Sequence, residues 1–287
     1  MSDAKTIAFQ SSEGFPIAAD AYGDPSHYPV LFLHGGGQTR HAWGGAAAAL
    51  AKHGWYTIGM DHRGHGDSGW SKDANYELDY FVEDFHTVQE QIGRRMVVCG
   101  ASLGGRTALL GLGGGNQDLT SALILVDIAP KTEPKGVARI QQFMRANLDG
   151  FPDLEAAADA VAAYREHRSR PKDISGLKKN LRLKADGRWY WHWDPKYIDR
   201  RDREDPSRVE RVREVTPNIK VPTLLIRGGS SDVVSPEGVK DFLELLPTAQ
   251  FIDVADAGHM VAGDKNDIFT DALMEFLGRT FTEHVAG

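Results

Sequence analysis

Three residues far apart in the chain have the side-chain types needed to attack a carbonyl carbon: Ser102, Asp232 and His259. A serine hydroxyl is a weak nucleophile near neutral pH, so a base must take its proton as it attacks. An imidazole titrates close to neutrality, and His259 is read as that base. A carboxylate then fixes the imidazole tautomer and stabilises the imidazolium, the part expected of Asp232. Asp127 also ends an apolar run close to Ser102 and is the alternative acid; Asp232 is preferred because its loop is longer and freer.

The attack leaves a negative charge on the substrate oxygen, which needs two fixed donors. The N–H of Leu103, next after the nucleophile, and that of Gly36 are the expected oxyanion pair, with Gly37 as a substitute for Gly36. Gly35-Gly36-Gly37 follows the apolar run Pro29–Leu33, and glycines there let backbone N–H groups face a cavity without side chains in the way. Of the 11 histidines, His34, His62 and His65 rank below His259 as the base, because none follows the last apolar run. The polar turn from Asp61 to Ser68 matches no metal-ligand spacing and is expected to brace the site. Cys99 is read as a small buried hydrophobe.

These groups must be placed by strands and helices. Ser102 sits in Gly100-Ala101-Ser102-Leu103-Gly104, between the apolar run Met96–Cys99 and the helix-forming Arg106–Leu110, which is a nucleophile elbow. Further continuous apolar runs at 56–61, 122–127, 222–227 and 250–254 predict strands of a parallel sheet, and 76–92, with apolar residues at helical spacing, predicts an amphipathic helix. Short alternating runs at 7–10 and 17–22 predict an antiparallel hairpin at the sheet edge. From Lys131 to about Val215 the residues are helix-forming and charged with no buried-strand pattern, so a helical insertion is expected over the carboxyl ends of the strands. Its basic cluster from Arg165 to Lys172 suits a solvated helix face. Its aromatic run Trp189–Trp193 suits either a substrate pocket, with Trp191 and Trp193 as binding residues, or packing of the insertion onto the core.

The chain has 287 residues and a formal charge of −7, which argues against a nucleic-acid surface and against attraction to anionic lipid. A lone cysteine excludes an intramolecular disulfide and a cysteine-based zinc site. With no signal-peptide pattern at the start and no run long enough to span a bilayer, a cytoplasmic protein acting on a small molecule is expected. Oligomeric state is left open by the sequence.

The motifs His34-Gly35-Gly36-Gly37, Asp61 to Ser68, Gly100 to Gly104, and Asp232 followed by Gly258-His259 occur in that order, and together they resemble the α/β-hydrolase fold superfamily over nearly the whole chain. The resemblance implies an eight-stranded, mostly parallel α/β sheet, with 1–130 and 216–287 as core and 131–215 as a helical cap inserted after the sixth strand. It also implies Ser102 as nucleophile where the similar epoxide hydrolases and haloalkane dehalogenases have aspartate. Water attacks the carbonyl of an aspartyl ester and regenerates the carboxylate, whereas a serine ether has no carbonyl to attack, so epoxide and haloalkane chemistry are disfavoured. The leading expectation is a serine hydrolase that cleaves a small, hydrophobic carboxylic ester or lactone through an acyl-enzyme, with no metal or organic cofactor. Carbon–carbon bond hydrolysis or cofactor-free perhydrolysis at the same triad is the alternative within enzymes, and a ligand-binding module with marginal turnover is the alternative outside them.

Overall fold

The computed structural model describes residues 4–164, 170, 173–199, 207–255, 257–261 and 266–282. Eight strands form one sheet. In chain order they are β1 (Lys5–Gln10), β2 (Pro16–Tyr22), β3 (Tyr28–Leu33), β4 (Trp55–Met60), β5 (Met96–Ala101), β6 (Thr120–Val126), β9 (Thr223–Gly228) and β10 (Gln250–Val254). Their spatial order is β1-β2-β4-β3-β5-β6-β9-β10. The β1–β2 and β2–β4 pairs are antiparallel and every later pair is parallel, as the apolar runs predict.

The parallel strands are buried on both faces, and side chains divide between the faces with period two. Leu31, Leu33, Val98, Leu123, Leu125 and Leu225 enter one core, and Val30, Phe32, Val97, Cys99, Ile124 and Ile226 enter the other. The first core is completed by α2 (Leu78–Ile92) through Leu78, Phe81, Phe85 and Val88, and by α3 (Leu103–Gly113). The second is closed by α1 (Gly44–Lys52) and by the last helix, Asn266–Thr280, through Ala46, Leu50, Phe269 and Phe276. Each of the Val, Leu, Ile and Phe side chains among these, fully withdrawn from water, stabilises the fold by roughly 1.5–3 kcal/mol before entropy is counted.

Between β6 and β9 lie α4 (Pro134–Arg145), α5 (Leu154–Tyr164), α6 (Pro195–Ile198) and α7 (Ser207–Val215), together with a small hairpin of β7 (Leu181–Leu183) and β8 (Trp189–Trp191). The hairpin corrects the expectation of a wholly helical insertion. Its strands have three residues each, too short for a period-two pattern to register, and the tight turn between them is made by Gly187 at φ +80°. Most of the basic cluster read at 165–172 lies outside the described residues. Arg170 is described, and it pairs with Asp159 at 2.7 Å and with Glu155, as a solvated face would. Among the described residues, no helix is long and apolar enough to cross a membrane.

Candidate active site

Ser102 occupies the junction of β5 and α3 at φ 46°, ψ −108°, a backbone region that non-glycine residues seldom adopt. The glycines around it are fixed by close approach. A Cβ on Gly104 would stand 2.3 Å from the carbonyl oxygen of Leu33, and one on Gly100 would stand 2.7 Å from the Gly104 backbone. The turn is therefore sharp enough to lift Ser102 to the carboxyl end of the sheet, with the first free N–H groups of α3 beside it.

His259 follows β10, in the stretch 257–261, and its Nδ1 lies 2.6 Å from Asp127 Oδ2. Asp127 directly follows β6, the strand next to that of Ser102, and is completely buried at φ 47°. Its carboxylate also accepts the Gly228 N–H at 2.9 Å and the Ser231 hydroxyl at 2.5 Å. The imidazole thus meets an acceptor-only carboxylate, which places the proton of the neutral ring on Nδ1 and leaves the Nε2 lone pair open.

Asp232 is not brought to His259, and its placement corrects the sequence-based choice of acid. Its carboxylate pairs with Arg139 of α4 at 2.8 Å and is 39% exposed. The end of β9 and the loop after it reach the histidine's partner through Gly228 and Ser231, which donate to the Asp127 carboxylate. Asp127, the alternative acid in the sequence, directly ends an apolar run and is followed by Ile128-Ala129. A charge in such a setting is costly unless partners are built for it.

The glycine loop also resolves residue by residue. The Gly35 N–H donates to Gln38 Oε1 at 2.8 Å, and the Gly37 N–H donates to His65 Nε2 at 3.2 Å. Among the described residues, no acceptor is found for the N–H of Gly36 or of Leu103. Gly37, the substitute considered from the sequence, is thereby committed elsewhere. Ser102, Gly36, Leu103 and His259 all face a cavity of about 590 Å³. The insertion supplies much of its wall, including Val137, Ile140, Phe143, Met144, Val161, Trp191 and Trp193. The rings of Trp191 and Trp193 stack at 4.8 Å and are themselves buried, so they both line the cavity and pack the insertion.

Behind the loop lie His34, His62, His65 and His192, each at most 1% exposed. Burial draws the His34 imidazole down to about 4, against its hydrogen bond to the Gly35 carbonyl, and draws His62 and His192 well below the ordinary histidine value. The Asp61–Ser68 turn braces this region: His34 Nε2 accepts the His62 N–H at 3.0 Å, and Asp61 accepts the N–H groups of Arg40 and Asp67 at 2.7 and 2.9 Å. Burial raises the Cys99 thiol, so it is not a competing nucleophile. Among the described residues, no group of histidine, cysteine and carboxylate side chains is placed to hold a metal ion.

Residues 28–265 match the family model described as the alpha/beta hydrolase fold. The chain belongs to this family. Among curated relatives it is 28% identical over 250 residues to an esterase, Rv0045c, of Mycobacterium tuberculosis, covering 82% of this chain and 78% of that one. It is also 28% identical over 261 residues to the sn-1-specific diacylglycerol lipase ABHD11 of Mus musculus, covering 89% and 82%. The crystal structure of an alpha/beta hydrolase from Novosphingobium aromaticivorans superposes with a TM-score of 0.79 at 23% identity, over 97% of this chain and 99% of that one. The chain is a hydrolase of this family, and its curated relatives include an esterase and a lipase.

Proposed function

We propose that the protein hydrolyses a hydrophobic carboxylic ester or lactone through an acyl-enzyme on Ser102, with His259 as base and Asp127 as the acid that orients it. The observation that carries this reading is the 2.6 Å contact between His259 Nδ1 and a fully buried Asp127, with His259 lining the same cavity as Ser102. Ser102 Oγ adds to the substrate carbonyl while His259 Nε2 takes its proton. The charge that develops on the carbonyl oxygen is received by the Gly36 N–H of the glycine loop and by the Leu103 N–H at the positive end of α3. The imidazolium returns its proton to the leaving alkoxide, and a water activated by the same nitrogen then hydrolyses the acyl-serine.

The insertion, 131–215, acts in this reading as a cap whose apolar wall selects the substrate. The wall from Val137, Ile140, Phe143 and Val161 gives an acyl chain a dry surface, with Trp191 and Trp193 as its aromatic floor. Each methylene buried there is worth about 0.8 kcal/mol, so kcat/KM should rise by up to about fourfold per added carbon until the cavity is filled. That the relatives include an esterase and a lipase favours an ester over a carbon–carbon bond.

The test is a series of p-nitrophenyl esters from acetate upward, with wild type and Ser102→Ala, followed by intact-mass analysis after a fluorophosphonate probe. Turnover that rises with chain length and vanishes in Ser102→Ala, with one probe adduct on wild type, is expected. Unchanged turnover in Ser102→Ala would overturn the assignment.

A further inference from the structure

His192 stands between Trp191 and Trp193 in the aromatic run of the insertion, yet both of its ring nitrogens reach backbone of the core. Its Nδ1 accepts the Gly66 N–H at 2.7 Å, so the proton of the neutral ring sits on Nε2 and is donated to the Gly37 carbonyl at 3.2 Å. The Gly37 N–H is taken by His65 Nε2 at 3.2 Å, and His65 Nδ1 in turn donates to the Arg63 carbonyl at 2.9 Å. Both polar groups of Gly37 are therefore held by histidines, one from the core and one from the insertion.

Gly37 stands at φ +76°, and three successive glycines give this loop little stiffness of its own. An oxyanion donor, however, must be placed to within about 0.5 Å to be useful. We propose that His192 is a positioning residue of the oxyanion loop: it holds Gly37 so that the adjacent Gly36 N–H meets the developing charge, which makes the hydrolytic site complete only when the insertion is seated. The proposal rests on the serine-hydrolase reading with Gly36 as donor. The seating has its own anchors two residues on, where the Asp194 N–H donates to the Gly64 carbonyl at 2.8 Å and Tyr76 donates to the Asp194 carboxylate at 2.7 Å. Burial keeps His192 neutral, as the arrangement requires, because a second ring proton would face the Gly66 N–H.

Two substitutions separate the nitrogens. His192→Asn keeps an acceptor near the Nδ1 position and removes the donor to Gly37, whereas His192→Gln keeps a donor near the Nε2 position. For p-nitrophenyl ester hydrolysis, His192→Asn should lower kcat by about 10- to 100-fold with KM within about threefold, since a donor displaced by an ångström costs on that order. Affinity for a trifluoromethyl ketone, which forms a tetrahedral adduct on the serine, should fall by a similar factor, Tm should stay near wild type, and His192→Gln should recover most of the kcat. Wild-type kcat and ketone affinity in His192→Asn would overturn the proposal, as would equal losses in both variants that track a lowered Tm. Absence of Ser102-dependent turnover in wild type would instead defeat the serine-hydrolase reading itself, so the two failures are distinguishable.

Discussion

Ser102 holds a conformation that costs on the order of 1–3 kcal/mol, and its neighbours show what maintains it. Gly104 lies so close to the Leu33 carbonyl that Gly104→Ala must displace β3 or α3. We expect that variant to lose about 3 kcal/mol or more of stability by chemical denaturation, because the obstacle is backbone and cannot swing aside. A wild-type midpoint would show that the elbow is looser than described. The elbow itself was legible in the sequence, since small residues at fixed offsets around a serine have one geometric purpose there. The acid was not. Asp127 and Asp232 both follow apolar runs, and nothing in the residue types says which carboxylate is buried beside His259 and which is tied to Arg139. That difference comes from strand order, because β6 is next to β5 while β9 is one strand further out.

At the scale of elements, the strands and amphipathic helices followed from hydrophobic period, which depends only on local sequence. The β7–β8 hairpin did not, being held by contacts such as the Phe151–Trp189 bridge with a segment some forty residues away in sequence. The attachment of the Asp61–Ser68 turn depends on Arg63, which is fully buried and bidentate on Asp84 at 2.7 and 2.8 Å, and which also meets Glu13 at 2.7 Å. It ties the β1–β2 turn, α2 and the brace of the glycine loop into one unit. Arg63→Ala leaves the Asp84 carboxylate buried without its counter-charge, and a loss of about 3–5 kcal/mol is expected in urea unfolding. A loss under about 1 kcal/mol would mean that water takes the place of the guanidinium.

For the whole molecule, the buried histidines His34, His62 and His192 make stability depend on pH. The folded-state value for His34 is about 4, against an ordinary 6.5, so the unfolded chain takes up the proton first as pH falls. Its contribution is therefore intact above about 6.5 and is lost progressively as pH drops toward 4, in the same direction as those of His62 and His192. Tm should decline across that window, and His34→Gln should flatten the decline; a Tm independent of pH between 7 and about 4 would contradict the neutral cluster. The proposed active site, too, exists only at this scale, since its nucleophile, acid and base would come from the ends of β5, β6 and β10, brought to one end of the sheet by its strand order. The most direct test of that assembly is kcat/KM for ester hydrolysis by Asp127→Asn and Asp232→Asn side by side. The structure predicts a loss of about 10⁴-fold in Asp127→Asn, from an imidazole left in the wrong tautomer, and a change of less than about tenfold in Asp232→Asn. The reverse ranking would contradict the assignment of Asp127 as the acid that serves His259.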